Sequence, residues 1–453
     1  MQFTKALQNT IVWKILNTTL SLFINLLMIR IMGAAYSGEF FYAITTLSLC
    51  VLLLSGSLES GIIYYGSQSE INIPALSFFL LPWLLLQALM AYKVMQFLPI
   101  GLYRPLSWVF VIANVAIIYF SALFYTRKWF LFLNLIIAFV NAALVIILCC
   151  VYARYGGEFG KLLNHEKLQG DHIIITHLTG DKQGQKGIYY AGFAFISGFA
   201  LQALLLFAYF YMRLDFKIFS FTLSRPLLKK VLRFSAVAFV SNVIFFMVSR
   251  LDYFYVERYC NPIALSNYMQ VSKIGQLLVL IPTMIATVIF PYSSGAAEGE
   301  YLPQLQSVCR TVSVFFMPAA LLLIVSGYWL FPWLFGEGFG QMYQAILYYL
   351  PGFYALSMVT LLASFLAGRA KLSVNLVGSL LALIVIATGD VLLIPLLGIN
   401  AAAAVSSVGY FACGIYQLRY YKRTFNCSIT DFFVPRKNEL IDLFMHFKKM
   451  ITI

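Results

Sequence analysis

The chain alternates between long uncharged runs and short clusters of charge. Runs of fifteen or more residues free of Asp, Glu, Lys and Arg cover 15–29, 40–58, 71–92, 105–126, 129–153, 187–212, 234–249, 274–297, 311–336, 338–368, 372–389 and 391–418, twelve in all. A helix that crosses about 30 Å of hydrocarbon needs about 20 mostly apolar residues, and one tolerated charge extends several of these runs to that length. The pattern predicts twelve transmembrane helices. A membrane β-barrel would instead alternate in polarity over segments of about 10 residues. Runs such as 129–153 are apolar on every helical face, which excludes the barrel. No small-residue cleavage site follows the first apolar stretch, Ile11 to Ile31, so it is expected to stay as helix 1 and not to leave as a signal peptide.

The connectors organise these helices. The longest basic one, 213–233, lies after helix 6. Within it Ser224-Arg225-Pro226 is a helix start, and Leu227, Leu228, Val231 and Leu232 alternate with Lys229, Lys230 and Arg233. That is the pattern of an amphipathic helix on the inner membrane surface. It divides the chain into an N-terminal lobe, 1–212, and a C-terminal lobe, 234–421, of six helices each. Arg30 to Gly38 after helix 1 repeats as Arg258 to Ser266 after helix 7. Each has an Arg at a helix end, a turn former three residues on, then a small residue opening the next helix. Duplicated bundles of this kind place a transporter's substrate between the halves. Residues 153–187 form a Gly-rich external loop in which Ile173 to Thr176 could pair as a small hairpin. The tail, 422–453, carries Leu440, Ile441, Leu443, Phe444, Phe447 and Ile451 at helical spacing opposite Lys448 and Lys449, an interfacial helix on anionic lipid.

Composition fits this picture. Of 453 residues, 61% are hydrophobic and only 11% charged, too little polar surface to cover a water-soluble globule. Soluble enzymes and nucleic-acid binders are excluded, so the net charge of +14 points to the membrane and to an anionic surface or substrate. With the N-terminus inside, nineteen Lys and Arg fall on cytoplasmic segments and nine on external ones, which puts both termini in the cytoplasm. The seven Cys lack metal-ligand or CxxC spacing and read as small hydrophobes. Three of the four His, His165, His172 and His177, sit in the external loop at spacings that match no common zinc pattern. No metal and no cofactor is expected.

The candidate chemistry lies in polar residues within the spans, where charge is expensive and usually faces an interior. Helix 1 carries Lys14, Asn17, Ser21 and Asn25 on one face, and helix 2 carries Thr45, Ser48, Ser55 and Glu59. Helix 7 carries Asn242, Ser249, Arg250 and Asp252, helix 8 carries Ser266, Gln270, Lys273 and Gln276, and helix 11 carries Ser379 and Asp390. Stripes on helices 1–2 and 7–8, equivalent in a 6 + 6 duplication, suggest a hydrated central cavity. Ser and Asn also bond helices to one another, the ordinary explanation for those residue types. Lys14, Arg250 and Lys273 need anionic partners and are the candidate substrate-binding cations. Asn17, Ser21, Asn25, Asn242 and Gln270 would form the polar cavity face. Glu59, Asp252 and Asp390 either neutralise those cations or take Na+ or H+ during transport. Walker, GxSxG and HExxH motifs are missing, which argues against ATP-driven transport by this chain. A membrane-embedded polysaccharide polymerase, with Glu158, Glu166, Asp171 and Asp181 on its external loop, remains open.

Several junctions resemble one family. Leu27 to Gly33 followed by Tyr36-Ser37-Gly38 resembles the helix 1–2 junction of polysaccharide flippases. Arg250-Leu251-Asp252 with Ala264 to Tyr268 resembles their helix 7–8 region, and Leu334 to Phe339 and Leu366 to Lys371 resemble the junctions around helix 10. The resemblance runs from about residue 8 to 421 and is to the Wzx-type O-antigen and capsule flippases of the multidrug/oligosaccharidyl-lipid/polysaccharide exporter superfamily. It implies an all-α polytopic protein of the bacterial cytoplasmic membrane, with two pseudo-symmetric six-helix lobes and alternating access. It also implies a substrate of oligosaccharide on polyprenyl pyrophosphate, and polysaccharide-assembly proteins as partners. Early helix 7 lacks the proline common there, and the 153–187 loop is long for the family. A cation-coupled multidrug exporter of the same superfamily is the alternative, since three cations against three acids do not fix the sign of the cargo.

Overall fold

A computed structural model describes residues 2–67, 73–96, 104–163, 182–213, 225–294 and 301–434. The described residues form twelve α-helices and two short 3₁₀ turns, with no strand among them. The helices are α1 (Gln2–Ser55), α2 (Leu58–Ser67), α3 (Ile73–Met95), α4 (Arg104–Thr126), α5 (Phe130–Leu163), α6 (Lys182–Met212), α7 (Arg225–Tyr259), α8 (Pro262–Ser294), α9 (Leu302–Phe335), α10 (Met342–Gly368), α11 (Leu372–Leu397) and α12 (Ile399–Phe425). Eleven of them are long and apolar enough to cross a membrane.

The first of these spans is 44 residues long, about 66 Å at 1.5 Å per residue and twice the hydrocarbon thickness. It is broken at Gly33, whose φ of 71° and ψ of 176° lie in a region essentially closed to residues with a Cβ. α1 therefore contains the first two predicted helices, joined by a glycine corner and no loop. The repeat matched Gly33 with Asn261, and the second corner is built differently. Asn261 Oδ1 accepts the Ala264 N–H at 2.8 Å, and Pro262 opens α8 with its φ already set for a helix.

A second internal match emerges from backbone geometry. The α4–α5 and α10–α11 junctions are the same turn, 242 residues apart. The Trp129 N–H reaches the Phe124 carbonyl at 2.9 Å and the Lys128 N–H that of Tyr125 at 3.0 Å. Lys371 reaches Leu366 at 2.9 Å and Ala370 reaches Ala367 at 3.0 Å. Both satisfy the last helical carbonyls in the Schellman pattern, and Lys128 and Ala370 take the left-handed position usually given to glycine. Arg127 and Arg369 precede them, each a cation at the negative end of a helix.

The chain forms two compact units, Met1–Phe246 and Met247–Ile453, which meet within α7. The basic segment predicted as a separate surface helix is, from Arg225, the beginning of α7. There Val231 and Ser235 pack on α2 at Gly61, where a Cβ would lie 2.8 Å from the Val231 carbonyl oxygen. In the N-terminal unit α1 packs on α5, α4 and α6, and α4 also covers α2 and α3. In the C-terminal unit α10 sits between α8 and α12, and α11 packs on α12. The loop predicted at 153–187 is helical to Leu163 and again from Lys182. The hairpin at 173–176 and the tail helix beyond 435 lie outside the described residues.

Candidate functional site

The C-terminal unit buries a cluster of charges and tyrosines in its interior. α7 supplies Arg250, Asp252 and Tyr253. Arg250 and Tyr253 are three residues apart and so share a face. The guanidinium donates to the Tyr253 hydroxyl and lies 4.9 Å from its ring centroid, a cation–π contact. Asp252, only 1% exposed, accepts three donors: the Tyr253 N–H at 2.9 Å, the Ser406 hydroxyl of α12 at 3.3 Å and the Tyr268 hydroxyl of α8. These bonds replace the hydration that a buried carboxylate loses.

Aromatic packing fixes the donors. The Tyr349 ring of α10 stacks on Tyr268 with centroids 5.9 Å apart and on Phe353 at 4.1 Å. Its hydroxyl meets that of Tyr410 from α12 at 3.4 Å. Phe353 lies against Gly275 of α8, where a Cβ would fall 1.9 Å from the ring. Asp390 of α11 is 0% exposed, and neither of its carboxylate oxygens has a hydrogen-bond partner. It lies within electrostatic reach of Asp252 and of Tyr268. Lys273 is half-buried on α8 and feels the charge of Arg250, and Gln270 is fully buried one turn earlier. Two cations and two carboxylates thus share one patch inside a single unit.

Of the residues singled out in the sequence, the structure brings together Arg250, Asp252, Lys273, Gln270 and Asp390. Ser249, Ser266, Gln276 and Ser379 also lie in the C-terminal unit, and the rest belong to the N-terminal unit. There Lys14 is exposed, as is Ser21, and Asn25 is half-buried. Asn17 donates to the Asn134 carbonyl at 3.4 Å, which ties α1 to α5. Asn242 donates to Ser57 Oγ at 3.0 Å. Both asparagines join helices, the ordinary role of such residues in a membrane. Thr45, Ser48 and Ser55 donate back to carbonyls of their own helix. Glu59 opens α2 beyond a break at Gly56 and Ser57, both with positive φ, and its Oε2 is buried with no hydrogen-bond partner. The break frees carbonyls that Gln87 and Tyr119 satisfy: Gln87 Nε2 donates to Leu54 at 2.5 Å, and the Tyr119 hydroxyl donates to Ser55 at 3.2 Å.

Sequence reasoning missed Tyr253, Tyr268, Tyr349, Tyr410 and Ser406. With 29 Tyr in the chain, no single one stands out before helices from distant segments converge. Among the described residues no group of three His, Cys, Asp or Glu side chains is placed to hold a metal ion. The three loop histidines lie outside them.

Residues 187–344 match the polysaccharide biosynthesis protein family. No curated protein sequence matches the chain. Solved structures do. The lipid II flippase MurJ in its inward closed conformation aligns with a TM-score of 0.69 at 15% identity, over 97% of this chain and 92% of that one. An inward-facing multidrug resistance MATE family transporter of the MOP superfamily aligns with a TM-score of 0.61 at 12% identity, over 91% of this chain and 97% of that one. The Vibrio cholerae MATE transporter VcmN in its bent form aligns with a TM-score of 0.59 at 14% identity, over 95% and 99%. At such identities the likeness is one of fold.

Proposed function

We propose that the protein flips oligosaccharide repeat units linked to polyprenyl pyrophosphate across the bacterial cytoplasmic membrane, by alternating access and with an ion gradient as the driving force. The observation that carries this reading is the pairing of Arg250 and Lys273 in one patch within the spans. Like charges that share a patch away from bulk water repel one another; Asp252 beside Arg250 offsets part of that repulsion, and an anionic substrate would offset more. A pyrophosphate is such an anion, and guanidinium and ammonium groups are its usual partners. Lys14, exposed on α1, is the third cation assigned to the substrate. Asp252 and Asp390 are assigned to the driving ion, with Glu59 a further candidate in the N-terminal unit. Both termini are placed in the cytoplasm.

The test is charge reversal at each cation, Lys14→Glu, Arg250→Glu and Lys273→Glu, with surface polysaccharide measured at matched protein levels in the membrane. Each is expected to lower export by about one order of magnitude or more, since a close charge pair at intermediate dielectric is worth several kcal/mol at most before desolvation. Full export by all three would remove the anionic-substrate reading. One observation favours a second reading, a multidrug exporter for organic cations. The unpartnered buried carboxylate of Asp390 is a group such cargo would seek. Loss of drug resistance with intact polysaccharide in an Asp390→Asn strain would favour it.

A further inference from the structure

In the N-terminal unit α4 and α6 end beside one another. The Tyr209 ring of α6 lies 6.0 Å from that of Trp129, which follows the α4–α5 turn, and stacks on Phe132 of α5 at 4.9 Å. Arg213 comes one turn after Tyr209 and sits 5.7 Å from the centre of its ring. Arg127 and Lys128 are the two residues before Trp129. Three exposed cations therefore share one corner with a half-buried Trp and Tyr, the side chains that settle at headgroup depth.

Neither the turn nor the topology asks for this cluster. Lys128 takes a left-handed position that the equivalent turn gives to Ala370, so the turn needs no cation there. The equivalent Arg369 is half-buried over Phe365 of its own helix, whereas Arg127 is exposed. Topology asks only for basic residues somewhere in a connector. Nor are the charges cancelled locally. The C-terminal ends of α4 and α6 each contribute about half a negative charge, which leaves about two positive charges at the corner. Among the described residues the acids of this unit stand elsewhere. Glu39 follows the Gly33 corner, Glu59 is within electrostatic reach of Tyr119 two turns inside α4, and Glu158 lies near the far end of α5.

Below the corner, α5 and α6 both present apolar side chains outward. Phe132, Leu135 and Phe139 follow one another along α5, and Phe207 and Leu204 lead inward along α6, all of them exposed. The distance from Trp129 to Phe139 is about 15 Å along a helix, which matches one leaflet's share of about 30 Å of hydrocarbon.

We propose that this corner is a binding site for an anionic phospholipid, whatever cargo the protein carries. Its phosphate is held by Arg127, Lys128 and Arg213, and an acyl chain lies along the exposed rows of α5 and α6. Guanidinium and ammonium donors match phosphate oxygens. A free phosphate ion would use the same donors, but only an anion with a chain gains from covering the apolar rows. The bound lipid ties the end of α6 to the α4–α5 turn.

The test uses the full chain with Trp129 as its only tryptophan, the other five replaced by Phe, in phosphatidylcholine nanodiscs. Brominated phosphatidylglycerol and brominated phosphatidylcholine are titrated in turn, and quenching of Trp129 fluorescence gives the affinity for one lipid over the other. Phosphatidylglycerol is expected to be preferred by about fivefold or more, the factor that corresponds to one Lys or Arg beside an anionic lipid surface. The preference is expected to vanish when Arg127→Gln, Lys128→Gln and Arg213→Gln are combined, and to weaken with added salt. It is expected to persist in Arg258→Gln, whose cation is exposed in the other unit. A chain with Trp333 alone, exposed on α9, is expected to show no preference. A second readout keeps every tryptophan. Phosphatidylglycerol in the nanodisc is expected to raise the melting temperature of the wild type and not of the triple variant, since a ligand of the folded state stabilises it. Equal quenching by the two lipids, a preference that survives the triple variant, or a wild-type melting temperature indifferent to phosphatidylglycerol overturns the site. An equal preference at Trp333 means a general attraction for anionic lipid and overturns it as well. Relief of quenching by inorganic phosphate, where sodium chloride of the same ionic strength gives none, overturns the lipid assignment in favour of a free phosphate ion.

Discussion

Gly275 shows how one residue can reach the candidate site without a polar atom. It is a glycine inside a transmembrane helix, packed against the Phe353 ring on which Tyr349 stacks. A methyl group there has nowhere to go unless the ring moves. Phe353 would push on Tyr349, and Tyr349 on Tyr268, whose hydroxyl holds Asp252. Gly275→Ala is expected to destabilise the protein by about 1–3 kcal/mol, the usual range for overpacking, and to impair transport beyond what the lower melting temperature explains. Gly340, beside which a Cβ would meet open space, is the matched control: Gly340→Ala should leave both unchanged. Equal effects at the two positions would show that the stack does not transmit the strain.

At the scale of elements, the segment after α12 is a strap. α12 ends at Phe425, Asn426 takes the left-handed position, and Ile429–Phe432 forms a 3₁₀ turn. Phe432 is 1% exposed and packs against Tyr421, among Cys309 and Val312 of α9 and Leu361 and Phe365 of α10. The buried Arg310 of α9 donates to the Asp431 carbonyl and so joins α9 to the turn. α9 packs on little besides α10, this turn and the short turn at its other end. Phe432→Ala is expected to lower stability by about 3–5 kcal/mol. With Cys309 as the only remaining cysteine, the same change should make that thiol reactive towards maleimide, because wild-type Cys309 is fully buried. The exposed Val434 provides the control. A Cys309 that stays protected in Phe432→Ala would mean that α9 is held without the strap.

Across the whole molecule the prediction is topological. Within the C-terminal unit successive spans alternate direction, so the corners at Asn261, Gly336 and Gly398 share one membrane face, and Arg369 to Lys371 lies on the other. From the basic bias, that second face is expected to be cytoplasmic. Single cysteines at positions 170 and 336 are expected to label from outside, and one at 370 only after the membrane is made permeable. Labelling of position 170 from the cytoplasmic side alone would invert the assignment.

Spans, element type and basic bias were legible in the chain because a bilayer imposes a local rule. Each crossing needs about 20 apolar residues whatever its neighbours do. The rule is silent on corners, which is why α1 is one helix broken by Gly33 and not two helices with a loop. It is also silent on what Arg225 to Arg233 joins, since an amphipathic stretch satisfies an interface and a helix start equally well. The candidate site was half legible. Arg250, Asp252, Lys273 and Asp390 stand out because charge in a span is rare. The sequence could not say that these four meet while Lys14, Asn17 and Asn242 belong to another unit, because helical spacing orders residues on one helix and says nothing about its partners. Tertiary structure alone decided the tyrosine stack and Ser406: only where α7, α8, α10 and α12 converge do the Tyr268 and Ser406 hydroxyls meet Asp252 and those of Tyr349 and Tyr410 meet each other.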